Sequence, residues 1–453
     1  METIIKQTSS FKDRDAQVVI NNNDVYRIIY ESGADDYEML MNSGLYEELV
    51  EKGYLISHQE TENFTTCYKT IKPQKVFITY PYEWCFSQLK DAALLTLKIQ
   101  QTAMKYNMSL KDANAFNVQF FKGKPIFIDT TSFERYKDNT VWCAYNQFCR
   151  QFAAPLALMS KIDVALSSLF LKDIDGINLK LASKLLPRRT FFDLSLFKHL
   201  HLHSFFQNQY SDTRQKININ FSKLQMELLI SDLQKAILNI KRQKQKSEWG
   251  EYYDNTNYTP DSFAEKIRIL ENYKQKIPCS RVADFGANSG IFSRIFKDKA
   301  EIILACDIDN EAVEKNYMQV KDANETNILP LLVDICNPSP AAGWANCERF
   351  SFFERIKNID TILALALIHH LTIGKNLPFE KIAQTFSLLT GYLIIEFVDK
   401  NDSQVQKLLK NRKDIFFDYT QENFEDSFKN YFEIIDRQLI TGTKRILYLM
   451  RKK

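Results

Sequence analysis

Two short runs in the second half of the chain carry acids and glycines at a spacing that could hold a ligand. Val282-Ala-Asp-Phe-Gly-Ala-Asn-Ser-Gly290 reads as a buried strand over 281–285 running into a glycine turn, and 302–309 reads as a second buried strand ending in acid. Gly286 and Gly290 permit backbone angles and close approaches that a Cβ would forbid. A helix starting at the turn, expected over 290–297, would aim unpaired N–H groups into a crevice. Asp307, at the end of its strand, can accept hydrogen bonds from the two hydroxyls of a ribose. The spacing is Asp-x-Gly-x-x-x-Gly, not the G-x-G-x-x-G of a dinucleotide site. An acid ahead of the first glycine, Asp284, suits a ligand that carries positive charge, such as an ammonium or a sulfonium.

The segment Asp284-Phe-Gly-Ala-Asn-Ser-Gly290 resembles the first motif of class I S-adenosylmethionine-dependent methyltransferases. The likeness runs over about the last 175 residues, in the element order of that fold. It implies a seven-stranded Rossmann-like sheet with an antiparallel last strand, and S-adenosylmethionine as cofactor. Asp284, Gly286, Ala287, Asn288 and Gly290 would then form the cofactor turn. Asp307, with Ile308, resembles the acid that holds the ribose, and Asp334 in Leu331-Leu-Val-Asp-Ile335 the acid near the adenine amino group. Ala364-Leu-Ala-Leu-Ile-His-His-Leu371 looks like the fourth motif, which places Ala364 at the cofactor and His369 and His370 just past the strand end, where ligands sit in open sheets. One of these histidines, or Glu396 on the next strand, could take a proton from a hydroxyl acceptor. A small molecule or a glycan is the expected substrate.

A second constellation lies in the first half. Phosphotransfer needs a carboxylate beside the substrate hydroxyl, and an Asn and an Asp that share magnesium. Asp112, Asn117 and Asp129 have that order, with Lys122-Gly123 as a hairpin between two strands. The segment resembles the catalytic loop and metal-binding Asp of kinase-like phosphotransferases, including those that act on aminoglycosides. If the region is active, the resemblance implies Asp112 as base, Asn117 and Asp129 as metal ligands, and Mg-ATP as nucleotide. It departs from the pattern in Lys111 before Asp112, in Thr-Thr after Asp129, and in lacking a glycine-rich phosphate loop; Lys69 is the best strand cation. Turn-forming and capping roles for the three residues are the alternative in a degenerate kinase-like region.

The elements that must position these groups are legible as patterns. An α+β region, kinase-like in order, is expected over 1–215, a helical and aromatic connector over 216–260, and the methyltransferase-like α/β domain over 261–453. Strands are read at 25–30 and 75–80, one amphipathic helix over 34–52 and a long helix over 86–106. Trp249, Tyr252, Tyr253 and Tyr258 could offer aromatic faces to a sulfonium or pack between domains. The loop 337–347 is expected to border a substrate mouth. His199, His201 and His203 would share one face on a strand, a metal geometry; without an acid or Cys nearby, a structural polar face is the preferred reading.

Composition sets the frame. The chain has 453 residues, enough for two or three domains, and its net charge is only +3. Nothing in that balance demands nucleic acid. The eight Cys form no C-x-x-C pair, which fits a reducing compartment. No signal-peptide core and no span of membrane length is read, so a cytoplasmic protein is expected.

Overall fold

The computed structural model describes residues 5–22, 24–63, 65–205, 221–243, 259–410 and 413–453. The chain divides into two compact units: Met1–Gln243 with Ala341–Phe350, and Lys244–Pro340 with Ser351–Lys453. No helix among the described residues is long and apolar enough to cross a membrane.

The first unit is built on a five-stranded antiparallel sheet of order β1-β2-β3-β5-β4, with β1 Ile5–Lys6, β2 Ala16–Asn21, β3 Asp24–Ile29, β4 His58–Thr61 and β5 Lys69–Pro73. The run 75–80, expected as a strand, joins no ladder. Side-chain bonds serve its backbone instead, as when Gln119 Oε1 accepts from Thr79 N at 2.7 Å. The expected helix over 34–52 is two helices, Ala34–Asn42 and Leu45–Glu51, because Gly44 takes a left-handed φ of 85° between them. The long helix, Phe86–Lys105, buries an apolar face. Around it lie two small antiparallel pairs, β6 Met108–Leu110 with β9 Phe133–Arg135 and the hairpin of β7 Val118–Phe121 with β8 Lys124–Phe127. Lys122 and Gly123 close the second with positive φ of 50° and 75°, as a tight hairpin turn requires. The helix Lys223–Asn239, expected in the connector, belongs to this unit; Gln234 accepts from Gln101 on the long helix at 3.0 Å.

The second unit holds a mixed seven-stranded sheet of order β12-β11-β10-β13-β14-β16-β15. Its strands are β10 Arg281–Phe285, β11 Ile302–Asp307, β12 Ile328–Leu332, β13 Ile359–Ala364, β14 Thr390–Val398, β15 Phe432–Leu439 and β16 Arg445–Lys452. The first five run parallel, and β16 lies antiparallel to both β14 and β15. β10, β13 and β14 are almost wholly buried, as parallel strands covered on both faces must be. β15, at the edge, alternates partly buried and exposed residues after its first. The helix Pro260–Lys276, capped by Thr259, sends Ile269, Leu270 and Tyr273 into the core beside Val282, Leu363 and Leu447. The helix expected over 290–297 is instead a short 3-10 turn, Ser293–Phe296. Gly290 holds φ +76°, and the Arg294 guanidinium bonds back to the carbonyls of Ser289 and Gly290 at 2.8 and 2.9 Å. Gly290 O accepts from Arg294 N as well, at 3.2 Å, so a single turn is closed there and not continued.

Candidate functional site

A cavity of about 310 Å³ opens at the carboxyl ends of β10, β11, β12 and β13. Parallel strands bring their C-terminal residues to one edge, so acids distant in sequence meet there. Asp284 is the penultimate residue of β10 and buried, and Asp307 ends β11. Both line the cavity, together with Gly286, Ala287, Asn288, Ile308 and Asp334. Gly290 and Ala364 are not lining residues; Leu365, Ala366 and Leu367 stand at the wall where Ala364 was expected. Gly290 acts one layer behind, closing the turn through its N–H to Ala287 O at 2.8 Å.

The turn is shaped by left-handed residues. Gly286 and Asn288 have φ of 76° and 50°, and the N–H groups of Gly286 and Ala287 both donate to Cys306 O on β11. That tie fixes the turn against Asp307, whose two carboxylate oxygens accept from Asn288 N at 2.8 Å and Asp309 N at 2.9 Å. Each oxygen keeps a lone pair beyond those bonds. Burial pushes the Asp307 carboxyl up to about 6, against the pull of these backbone donors. Asp284 accepts from Ser293 Oγ at 2.6 Å. Burial raises it to about 6 as well, although Ser293 and the Lys266 ammonium oppose the shift. Asp334 lies two residues beyond β12, accepts from Cys336 N at 2.9 Å and has the Lys375 ammonium 3.9 Å away.

Lys266 is a charged lining residue that the sequence did not announce. It is 1% exposed, on the helix Pro260–Lys276, with its ammonium 2.6 Å from Glu396 and 4.2 Å from the Phe292 ring centroid. Burial lowers its basicity, with Glu396 opposing. Glu396, expected at the crevice, is wholly buried in β14 and is no lining residue. It accepts from Lys266, from Ala366 N at 3.0 Å and from Arg445 at 3.3 Å, and Arg445 in turn holds Asp402 at 2.9 Å. The catalytic role expected of Glu396 is corrected accordingly: this carboxylate is committed to a buried ion network and to fixing Ala366, whose φ is +50°. An amphipathic helix with several lysines gives no local sign of which one is buried. That information sits in Glu396, 130 positions away.

The two histidines separate. His370 lines the cavity, whereas His369 is 1% exposed behind it, ring centroids 4.2 Å apart. Neither nitrogen of His369 has a hydrogen-bond partner among the described residues. Burial, His370 and Arg445 hold His369 well below its ordinary value, and burial with Arg445 brings His370 down to about 4. Both rings are neutral near pH 7, and His370 is a weak base.

In the first unit Asp112, Asn117 and Asp129 do come together. Asp129 accepts from Arg27 on β3, Ser132 Oγ at 2.7 Å, Thr131 Oγ1 at 2.9 Å and Thr131 N at 3.1 Å. Asn117 Nδ2 lies 3.5 Å from its carboxylate. Burial would raise Asp129, but the Arg27 guanidinium and the hydroxyls outweigh it and the carboxyl falls below its ordinary value. Asp112 is raised by burial and by Asp129, and its Oδ1 accepts from Gln147 at 2.7 Å and Asn114 N at 2.9 Å. The strand cation is thus Arg27; Lys69, the expected one, pairs with Glu60 at 2.8 Å. No group of three or more His, Cys, Asp or Glu able to hold a metal is found among the described residues.

His199, His201 and His203 lie on a helical turn and are engaged by protein side chains. His199 bonds Tyr145 and Asp232, His201 bonds Ser183 and Thr190, and His203 stacks on Tyr145. The loop expected at a substrate mouth groups with the first unit over 341–350 and contributes no lining residue to the cavity among the described residues. Trp249, Tyr252, Tyr253 and Tyr258 lie outside the described residues.

No protein-family model matches the chain. It is 31% identical over 458 residues to nodulation protein NoeA of Rhizobium meliloti (strain 1021), covering 98% of this chain and 95% of that protein. Solved structures with some likeness include the N-methyltransferase NodS from Bradyrhizobium japonicum WM9, 11% identical, TM-score 0.31, covering 43% of this chain and 97% of that one. Magnesium protoporphyrin IX methyltransferase (ChlM) from Synechocystis PCC 6803 is 14% identical, TM-score 0.31, over 45% and 92%. The bifunctional kinase-methyltransferase WbdD is 12% identical, TM-score 0.31, over 44% and 42%.

Proposed function

The chain belongs to the family of nodulation protein NoeA, and from that premise and the chemistry of its cavity we propose that it is an S-adenosylmethionine-dependent methyltransferase. The observation that carries the reading is the pair of buried carboxylates, Asp284 and Asp307, each raised to about 6, facing one cavity with a buried lysine. Buried like charges beside a buried cation are costly unless a ligand of complementary charge pattern completes them. The donor set fits that cofactor. Asp307 has lone pairs for two ribose hydroxyls, and Asp284 would take an α-ammonium. Lys266 would take the neighbouring carboxylate, and Asp334 an adenine amino group.

The cofactor supplies a methyl group activated on a sulfonium. The protein's share of the transfer is alignment and exclusion of water. The wall formed by Leu365, Ala366 and Leu367 is held rigid by the Ala366–Glu396 bond. The acceptor would be a hydroxyl of a small molecule or glycan. His370 is placed to take its proton, but with a value near 4 it would do so only late in the transfer. Incubating a cell extract with the protein and cofactor labelled in the methyl group, then searching for labelled products by mass spectrometry, tests the proposal. A product that requires the protein and vanishes with Asp307→Ala is expected. Tight cofactor binding with no labelled product would favour a non-enzymatic cofactor-binding protein.

The constellation in the first unit is best read as structural. Arg27, Ser132 and Thr131 engage Asp129 from several sides, which leaves little of it for a metal. A bifunctional kinase and methyltransferase is the reading this disfavours.

A further inference from the structure

Residues 180–194 of the first unit carry an exposed surface that the proposed chemistry does not use. The helix Leu179–Leu185 leads through Pro187 into the turn Arg188–Phe192. Along this stretch Phe192 is 93% exposed, Leu194 69%, Phe191 47%, Leu185 43% and Leu181 37%. Single exposed apolar residues need no explanation, but five within fourteen positions do. Cations interleave with them along the sequence. Lys180, Lys184, Arg188 and Arg189 are all exposed, and among the described residues none is paired with a carboxylate. The one acid in the run, Asp193, caps the next turn by accepting from Ser195 N and Leu196 N at 3.2 Å.

The surface is pre-organised. His201, 4% exposed, bonds Ser183 Oγ at 2.7 Å through one ring nitrogen and Thr190 Oγ1 at 2.9 Å through the other. Its ring stacks on Phe191 with centroids 3.9 Å apart. One buried imidazole therefore fixes the helix and the turn together, so Leu181 and Leu185 on one helical face are held in place relative to Phe192. Burial keeps that imidazole less basic than usual, suited to a neutral bridge.

We propose that this surface docks on an anionic lipid bilayer, with Phe192 and Leu194 entering the headgroup region and the four cations meeting lipid phosphates. Exposed aromatic and aliphatic side chains beside lysine and arginine are what interfacial binding requires, and the apolar and electrostatic parts act together. The overall charge of +3 hides the local asymmetry. A single-stranded nucleic acid would use the cations and Phe192, but stacking bases gain little from Leu181, Leu185 and Leu194. Three of the five exposed apolar residues are leucines, which favours lipid.

The test is co-sedimentation of the full chain with vesicles of phosphatidylcholine alone and of phosphatidylcholine mixed with phosphatidylglycerol, at low and high salt. Binding to the mixed vesicles only, weakened by salt, is expected. Phe192→Asp with Leu194→Asp should weaken it about tenfold or more, and so should Arg188→Glu with Arg189→Glu. Both pairs are solvent-exposed, so the melting temperature should stay unchanged. No binding of the wild type to mixed vesicles would overturn the proposal, as would undiminished binding in both variants. Tight binding of an oligonucleotide, lost in the variants while vesicles are ignored, would reassign the surface to nucleic acid. Self-association lost with Phe192→Asp, without vesicle binding, would reassign it to a second copy of the chain.

Discussion

Asp284 and Asp307 cost the protein stability when their charges are uncompensated. Each rises from an ordinary value of 3.8 to about 6. A raised carboxyl favours the fold fully below about pH 4, and that advantage is lost as pH rises through about 6, at roughly 3 kcal/mol for each group. A cationic ligand that binds the ionised pair reverses the loss. Cofactor affinity should therefore strengthen as pH rises from about 5 to about 7, with proton release on binding, and calorimetry in buffers of different ionisation enthalpy would show both. Affinity flat across that range would mean that neither carboxylate faces the ligand. Lys266→Met should weaken the cofactor by about tenfold or more through loss of a charge-assisted bond. The same change removes the Lys266 ammonium from the buried Glu396 carboxylate, so a fall in melting temperature is also expected; the variant's affinity should be read well below its transition. His370→Gln should lower kcat no more than about tenfold, because a base near 4 contributes little to proton removal, and should leave cofactor affinity intact.

At the scale of elements, the glycine turn was legible because its chemistry is local. Strand, left-handed glycines and terminal acid all lie within the run 282–290 and its partner 302–309, and the structure gathers them at one cavity. What was not legible depends on partners far along the chain. The roles of Lys266 and Glu396 depend on each other, and both depend on Arg445. The expected helix at 290–297 is cut to the turn Ser293–Phe296, with the Arg294 side chain bonded back to the carbonyls of Ser289 and Gly290. Gly44 could have been read as a break, since Ser43-Gly44 interrupts the apolar period, but the period resumes at Leu45 and masks it. Gly290→Ala tests the turn. A Cβ there would stand 2.6 Å from the Arg294 guanidinium and 2.7 Å from Asn316, at φ +76°. A loss of about 1–2 kcal/mol in thermal unfolding is expected from the left-handed conformation alone. Weaker cofactor binding should accompany it, because the turn carries Asn288, which holds Asp307.

At the scale of the molecule, the chain comprises two compact units, and the cavity described above belongs wholly to the second. Length and the change of pattern led to expected boundaries at 215 and 260, whereas the two compact units part after Gln243. The helix Lys223–Asn239 was expected in the connector, and its place in the first unit shows only once Gln101 and Gln234 are seen together. In the first unit the order Asp112, Asn117, Asp129 was readable, while Arg27 was hidden among ordinary strand residues. Because Asp129 is engaged by Arg27 and two hydroxyls, Mg-ATP should produce no thermal shift. A clear shift erased by Asp129→Ala would restore phosphotransfer as a second activity. The central claim, that the cavity of the second unit takes S-adenosylmethionine, is tested most directly by titrating the full chain with that cofactor in a calorimeter, beside NAD and the Asp307→Ala variant. The account predicts binding of S-adenosylmethionine, none of NAD, and a loss in the variant of ~1.5–3 kcal/mol, about tenfold to a hundredfold in affinity. Absence of S-adenosylmethionine binding, or equal binding by Asp307→Ala, would contradict it.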